Sequence, residues 1–411
     1  MTRVKRICSM HSGDHIAGDE ICEEGEFPVY GGNDLRGYYP KYNCEGPMLI
    51  VGRQGALCGN VHRINGKFWA TEHALITTIT HFDNLDYLYY LFTDLNFNQY
   101  VSQSAAQPGL AASKILQVET VLPPRSEQER IAAFLDEKCV AVDKAIEVKR
   151  KQLESIEAIW KNLLYRATTQ GIEGRDARPA RPSNHARDGG HAGRVTLPCM
   201  VSSGNALFPK IPMGWRVVRI KSIGTLRYGL GEPPETSDNG ISMIRATDFR
   251  AGKIDDSKMI RVNPADVPEG RDAYLRAGEI IVVRSGAYAG DSTIIPAKYN
   301  GYISGYDMVV TITKAVPEFI AYAFLSKHIL DDQLLLLSLR AAQPHVNAEQ
   351  VLNLELPLPP KEVQRKIADY LTRKRDSLDS LAANLRKQIE TLGQYRKSLI
   401  HECVTGTRRV G

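Results

Sequence analysis

Between residues 126 and 168, apolar side chains recur at 131, 135, 142, 146, 153, 156, 160 and 163, with charged residues filling the intervals. Steps of three and four residues mark a helical seam, and no Gly or Pro breaks the run. A second run carries apolar residues at 367, 371, 378, 381, 385, 389, 392 and 399. Each run follows a proline pair, Pro123-Pro124 or Pro359-Pro360, that ends whatever precedes it, and Ser126 can cap the first helix. The pattern predicts two long helices, over 123–170 and 358–405. The first would extend about 65 Å at ~1.5 Å per residue. Two such helices in one chain most simply pack on each other, antiparallel, as a coiled coil. Ordinary amphipathic helices of a bundle are the plainer alternative. Lys149 falls at a seam position and is expected to snorkel at the edge of the coil.

The rest of the chain reads as mixed α and β. LIVG (49–52), ALITTIT (74–80), IIVV (280–283) and MVVTIT (308–313) are short β-rich runs with turn residues around them. Residues 83–101 and 317–339 read as helices leading into the long ones. Tyr87, Tyr89 and Tyr90 could stack on bases, but helical core packing is the plainer reading. The segment 171–194 is rich in Gly, Pro, Arg and His and reads as a mobile linker. Its five arginines could touch phosphates, although a solvated linker is the default.

The chain repeats itself. Residues 105–169 align on 341–405 at a constant offset of 236 without a gap, with 23 identities in 65 positions. AAQP recurs at 105–108 and 341–344, LPP at 122–124 and 358–360, and Arg150-Lys151-Gln152 as Arg386-Lys387-Gln388. Gln128, Ile131, Ala132 and Leu135 match Gln364, Ile367, Ala368 and Leu371. Weaker matches precede each tail: RVKRICS (3–9) with RVVRIKS (216–222), and MLIVGRQGALCG (48–59) with EIIVVRSGAYAG (279–290). Two units follow, each a variable globular part with a well-matched tail. The period is too long, and the copy number too low, for a solenoid.

Composition narrows the function class. Of 411 residues, 43% are hydrophobic and 24% charged, which excludes wholesale disorder and a fibrous protein. A net charge of +5 is compatible with a nucleic-acid partner without being diagnostic. Seven cysteines without a C-x-x-C pair argue against a disulfide framework and for a reducing cytoplasm. No apolar run opens the chain, and the most apolar long stretch, 319–339, contains Lys327, His328, Asp331 and Asp332, so neither a signal peptide nor a membrane span is expected. There is no phosphate-binding G-x-x-x-x-G-K-[ST], no methyl-donor or amino-methyltransferase motif, no H-E-x-x-H and no G-x-S-x-G. Cys8, His11, His15 and Cys22 lie close together at a spacing that fits no zinc site. A binding protein is favoured over an enzyme, and neither catalytic nor metal-ligating residues are assigned.

AAQPGL…LPPRSEQERIAAFL (105–135) and AAQPHV…LPLPPKEVQRKIADYL (341–371) resemble the specificity subunits of type I restriction–modification systems. VYGGNDLRGYY (29–39), VGRQGALCG (51–59) and FWATEHA (68–74) are similar to segments of that family's target recognition domains. The resemblance covers essentially the whole chain. It implies an α+β fold of two mixed α/β target recognition domains, joined by two antiparallel helices in a coiled coil with a pseudo-twofold repeat. The expected division is a first recognition domain at 1–122, a central helix at 123–170 and a flexible linker at 171–206. A second recognition domain at 207–357 and a C-terminal helix at 358–405 follow. The family's apolar-Pro-x-Gly-Trp lead-in is present as IPMGW (211–215) but not before the first unit, which leaves an upstream start or a trimmed first half as readings.

The resemblance further implies a cytoplasmic, non-catalytic subunit that binds double-stranded DNA. It would recruit two modification subunits, which methylate adenine with S-adenosylmethionine, and restriction/translocase subunits that use ATP and Mg; no cofactor is expected in this chain. Reading two separated half-sites usually takes a symmetric dimer with half-sites roughly 34 Å apart. A tandem repeat makes a single-chain pseudo-dimer whose halves can read different sequences, with a fixed spacer. A coiled-coil scaffold joining two protein-binding domains, an enzyme with its own active site, and a silent specificity cassette are the competing readings.

Duplication also sorts the candidate residues. Arg53 and Arg284 occupy equivalent places, so they suit a phosphate contact or a structural hydrogen bond better than base reading. Base readers should lie where the halves diverge. In the first half these are Asn33, Asp34, Arg36 and Tyr38 in a Gly-rich loop, with Gln54, Glu72 and His73. In the second they are Arg245, Thr247, Asp248, Arg250 and Ser285.

Overall fold

The computed structural model describes residues 1–32, 34–55, 58–80, 83–101, 109–172, 199–231, 234–335 and 344–410. The chain forms two compact units, Met1–Gln152 with Leu385–Gly411, and Leu153–Asn384.

In the first unit β1 (Thr2–Arg3) pairs with β10 (Glu119–Thr120). Strands β2 (Cys8–Ser12), β6 (Met48–Gly52), β7 (Val61–Ile64) and β9 (Ala74–Ile79) form an antiparallel sheet in the order β2-β9-β6-β7. Strands β3 (Phe27–Tyr30), β4 (Leu35–Tyr39), β5 (Cys44–Glu45) and β8 (Lys67–Ala70) form a second sheet, β4-β3-β8-β5, in which β3 and β8 are parallel. The apolar runs are continuous because β6 and β9 are covered on both faces. Leu49, Val51 and Leu75 face a core with Tyr87, Leu88 and Phe92 of the helix Leu85–Asp94, while Ile50, Ala74 and Ile76 face Phe68 and Cys44.

The second unit repeats this plan. A hairpin of β11 (Met200–Ser202) and β12 (Lys210–Pro212) precedes β13 (Arg216–Arg219), which pairs with β23 (Glu355–Leu358). Strands β14 (Gly224–Tyr228), β19 (Ile280–Val282), β20 (Ser292–Ile294) and β22 (Met308–Ile312) take the order β14-β22-β19-β20. Strands β15 (Thr236–Ile244), β18 (Ile260–Val262) and β21 (Ile303–Ser304) form β18-β15-β21, again with one parallel pair, β15 and β21. A small hairpin, β16 (Phe249–Arg250) with β17 (Lys253–Ile254), lies between them in the chain. The helix Pro317–Phe324 corresponds to Leu85–Asp94.

The long helices run over Arg125–Thr169 and Lys361–Val404, the second continuing through Gly393. Each unit contains the start of one and the end of the other. In the first unit Ile131, Leu135 and Cys139 share a core with Leu399, Ile400 and Cys403, and the Arg396 side chain pairs with Asp143 at 3.1 Å. Lys149 reaches the edge of this seam, where its Nζ donates to Gln388 Oε1. In the second unit Trp160 and Leu164 pack with Ile367 and Leu371. Numbers rise along one helix as they fall along the other, so the helices are antiparallel in both units. One seam position differs from expectation: Leu381 is 49% exposed, and the smaller Ala382 is buried instead.

A buried glutamine fastens each globular part to its long helix. Gln128 accepts from the Asn84 backbone N–H at 2.8 Å and donates to the Pro123 carbonyl at 3.0 Å. Gln364 accepts from Val316 N–H at 2.7 Å and donates to the Pro359 carbonyl at 2.6 Å. Asn84 and Val316 are the N-caps of the two corresponding helices, so each amide closes a helix start onto the proline pair.

Two further sequence expectations need correction. The match of 3–9 to 216–222 is out of register by three. Val4 N–H bonds to Val118 O as Ile220 N–H bonds to Leu354 O, which places Arg3 on Arg219 and Ile7 on Ile223. The linker 171–206 also ends early. The β11 strand lies inside it, and Asn205 Nδ2 donates to Glu355 Oε2 at 2.7 Å. Residues 173–198 lie outside the described residues, as do Asn33 and nearly all of both AAQP repeats.

Candidate nucleic-acid interface

In the first unit three connections meet: the loop after β3, the loop after β6 and the turn between β8 and β9. They enclose an open cleft of about 470 Å³ lined by Gly32, Asp34, Leu35, Arg36, Gln54, Gly55 and His73. Gly32 is needed there. A Cβ at this position would lie 2.3 Å from Gln54 O and 3.1 Å from His73 O, so a side chain would force the loops apart. Arg53 N–H donates to His73 O at 2.8 Å, tying loop to turn. Four predicted readers, Asp34, Arg36, Gln54 and His73, thus face one space. Glu72 stands beside it, with its carboxylate 3.1 Å from His15 Nδ1 and 3.4 Å from His73 Nε2. Burial raises its pKa, but hydrogen bonds from its own backbone and from His15 outweigh that and hold the carboxyl below its usual range. Tyr38 does not join the cleft: its backbone pairs with Cys22 and its Cβ abuts Gly25.

The second unit has the same three connections, and two backbone bonds recur between them. Thr71 N–H bonds to Tyr30 O as Gly305 N–H bonds to Ile244 O, so Gly31-Gly32-Asn33-Asp34 corresponds to Arg245-Ala246-Thr247-Asp248. Leu110 N–H bonds to Arg53 O as Val346 N–H bonds to Arg284 O, both at 2.9 Å. The residues that follow each AAQP repeat therefore brace the loop that carries Gln54 or Ser285.

The side chains differ. Asp248 is 2% exposed, and its two oxygens accept from the backbone, Nε and Nη2 of Arg245 at 2.9 to 3.0 Å. Thr247 donates to the same carboxylate at 3.3 Å. Asp248 is thus a turn organiser inside the protein rather than a base reader, and it holds Arg245 with it. Ser285 Oγ lies 2.7 Å from His345 Nδ1, a partner that sequence reasoning missed. Arg250 stands in another cleft, over the Tyr288 ring at 3.5 Å and near Trp160 and Glu157 of the long helix.

Arg53 and Arg284 both contact the same position, the last residue of β2 or β14, but by different interactions. Arg53 Nη1 donates to Ser12 Oγ at 2.7 Å. Arg284 lies 4.8 Å from the ring centroid of Tyr228, which occupies the place of Ser12, and 4.5 Å from that of Tyr306. Tyr87 and Tyr90 are core residues, buried to 0% and 2% exposure. Cys8 and His15 of the N-terminal cluster part company: Cys8 is buried on β2, and His15 turns to Glu72. Among the described residues no helix is long and apolar enough to cross a membrane.

The type I restriction modification DNA specificity domain, as a family model, matches residues 1–158 and 212–391, well over half of the chain. The chain belongs to this family. It is 41% identical over 148 residues to the type I restriction enzyme EcoprrI specificity subunit of Escherichia coli, covering 35% of this chain and 37% of that one. It is 22% identical over 305 residues to the MjaVIII specificity subunit of Methanocaldococcus jannaschii, covering 71% and 63%. The match thus spans less than two thirds of either relative. A solved structure described as "Structural basis underlying complex assembly and conformational transition of the type I R-M system" superposes with a TM-score of 0.67 at 14% identity, over 98% of this chain and 97% of that one. At that identity the likeness is one of fold. Both copies of the specificity domain contain one of the loop clusters described above.

Proposed function

We propose that this specificity-domain chain binds double-stranded DNA and reads the two halves of a bipartite target, one with each unit. The observation that carries this is the repeated frame: the order of the four-stranded sheet β2-β9-β6-β7 recurs as β14-β22-β19-β20, and matching backbone bonds hold the loops after β3 and β6 and those after β15 and β19, with different side chains on the equivalent loops. A shared frame suits a shared ligand, and divergent loops suit different bases. Asp34, Arg36, Gln54 and His73 are the readers favoured in the first unit, with Ser285 and Thr247 favoured in the second, where Arg245 braces the turn through Asp248. Arg53 and Arg284 support the loops. The chain itself does no chemistry in this reading. Two modification subunits that methylate adenine from S-adenosylmethionine, and restriction/translocase subunits using ATP and Mg, dock on it in the cytoplasm.

The test is a methylome. The full chain is co-expressed with a modification subunit in a host free of adenine methylation, and modified adenines are mapped. A split motif with two short defined halves and a fixed gap is expected, and exchanging residues 207–340 should change one half only. A contiguous motif, or no methylation from an intact complex, would sink the reading.

A further inference from the structure

The two units close the same loop junction differently. In the first, Gly32 lets the backbone of the loop after β3 touch Gln54 O and His73 O directly. In the second, position 246 is alanine, and its Cβ rules out that approach. The strand registers of β6 with β9 and of β19 with β22 place Asp307 where the first unit has Ala74. Asp307 is 2% exposed. Its Oδ1 accepts from Arg284 N–H at 3.3 Å, while the backbone N–H of Ala246 also favours its ionised form. Its Oδ2 is buried without a well-formed hydrogen bond among the described residues.

A buried carboxylate with an incompletely satisfied oxygen costs stability. Ala74 shows that this fold needs no carboxylate at the position. The group must therefore be accounted for by what it touches. Ala246 opens the turn that carries Thr247, and Arg284 opens the loop that carries Ser285. We propose that Asp307 is a positioning residue that pins the 245–248 turn to the 284–290 loop, and so sets how faithfully the second unit reads its half of the target. This rests on the DNA-reading function proposed above.

The test uses the full chain with Asp307→Ala, the residue already accepted at position 74. In the methylome assay, the half that changes on exchange of residues 207–340 should become degenerate, with selectivity at one or more of its positions falling roughly tenfold. The other half should stay sharp, which a general folding defect would not allow. Amide hydrogen exchange on the purified chain reads the pinning without DNA. Amides of 245–248 and 284–290 should exchange faster, while those of 280–282 and 308–312 keep their protection. Unchanged exchange in the two loops overturns the proposal, and so does faster exchange with both half-sites still sharp. If the unmodified chain directs no split-motif methylation, the DNA-reading function fails, and unchanged loop exchange would then separately refute the pinning.

Discussion

Removing the buried amide of Gln364 should loosen the second unit from its long helix. Leucine has nearly the same shape and no polar atoms. Gln364→Leu therefore strands two buried groups, the Val316 N–H now bonded at 2.7 Å and the Pro359 carbonyl now bonded at 2.6 Å. Each stranded group costs about 1–3 kcal/mol, offset in part by the more favourable burial of leucine. A net loss of about 2–4 kcal/mol follows, or roughly 4–16 °C in melting temperature for a unit of this size. Gln128→Leu in the first unit should cost a similar amount. Gln128 also donates to Asp83 Oδ1 at 2.8 Å, so Gln128→Glu, which sets a carboxylate against Asp83 and the Pro123 carbonyl, should be worse than leucine. Calorimetry and urea unfolding of the full chain measure all three. Leucine variants within about 0.5 kcal/mol of the parent would show that these amides do not fasten the units to the helices.

Three further outcomes are expected. Burial, partly opposed by Arg284 and Ala246 N–H and reinforced by Asp248, raises the Asp307 pKa to about 6, so the folded state favours the protonated carboxyl. Its contribution is complete below about pH 4 and lost as pH rises through 6. Asp307→Asn should therefore gain about 3 kcal/mol on the parent between pH 4 and pH 8, and denaturation at both pH values showing no such divergence would contradict the assignment. Arg284→Lys gives up a planar group held between Tyr228 and Tyr306 and should cost about 1–2 kcal/mol in urea unfolding, whereas a neutral result would mean the two rings do not hold it. Gly32→Ala should degrade the half-site read by the first unit while leaving the other intact, because its Cβ cannot fit against Gln54 O; a sharp first half in the mapped motif would refute this.

Periodicity carried the frame of this fold because most of the relevant signal is local. Apolar steps of three and four marked both long helices to within three residues at either end, and the β-rich runs became central strands. The hairpin of β11 and β12 escaped because it follows a Gly- and Arg-rich stretch, and its stability comes from distant partners such as Glu355. The opening strand was misaligned because RVKR and RVVR match as strings, whereas pairing with the tail sets the register. The candidate readers separated along the same line. Gly-rich loops near β3 and β6 can be recognised from composition, and their side chains do face one cleft. No local signal shows that Asp248 folds back on Arg245, or that Tyr38 faces Gly25. Asp307 was legible only after the strands had been paired, since it is an isolated acid one residue before an apolar run.

The internal repeat is itself a controlled comparison. At the first position after β3 and β15, glycine stands in one unit and arginine in the other. Where Gly31 leaves space, the side chain of Arg36 lies across it, and a Cβ at 31 would come within 2.8 Å of Arg36 Cδ. Among the described residues the Arg36 guanidinium has no hydrogen-bond acceptor, and it lines the first cleft. In the second unit Arg245 occupies that turn from the glycine's own position, and Asp248 binds it at two nitrogens. Both turns thus have an arginine over them, but among the described residues only the first guanidinium is free of a carboxylate partner. Arg is the side chain best matched to the acceptor edge of guanine. The first unit is therefore expected to depend on Arg36 for guanine in its half-site. For the second, Arg245→Ala should act mainly by freeing Asp248 and disordering the turn. Single-position motif relaxation for Arg36→Ala, against loss of the whole half for Arg245→Ala, would separate a reader from a brace; relaxation of the same extent in both would show that the two arginines play one role.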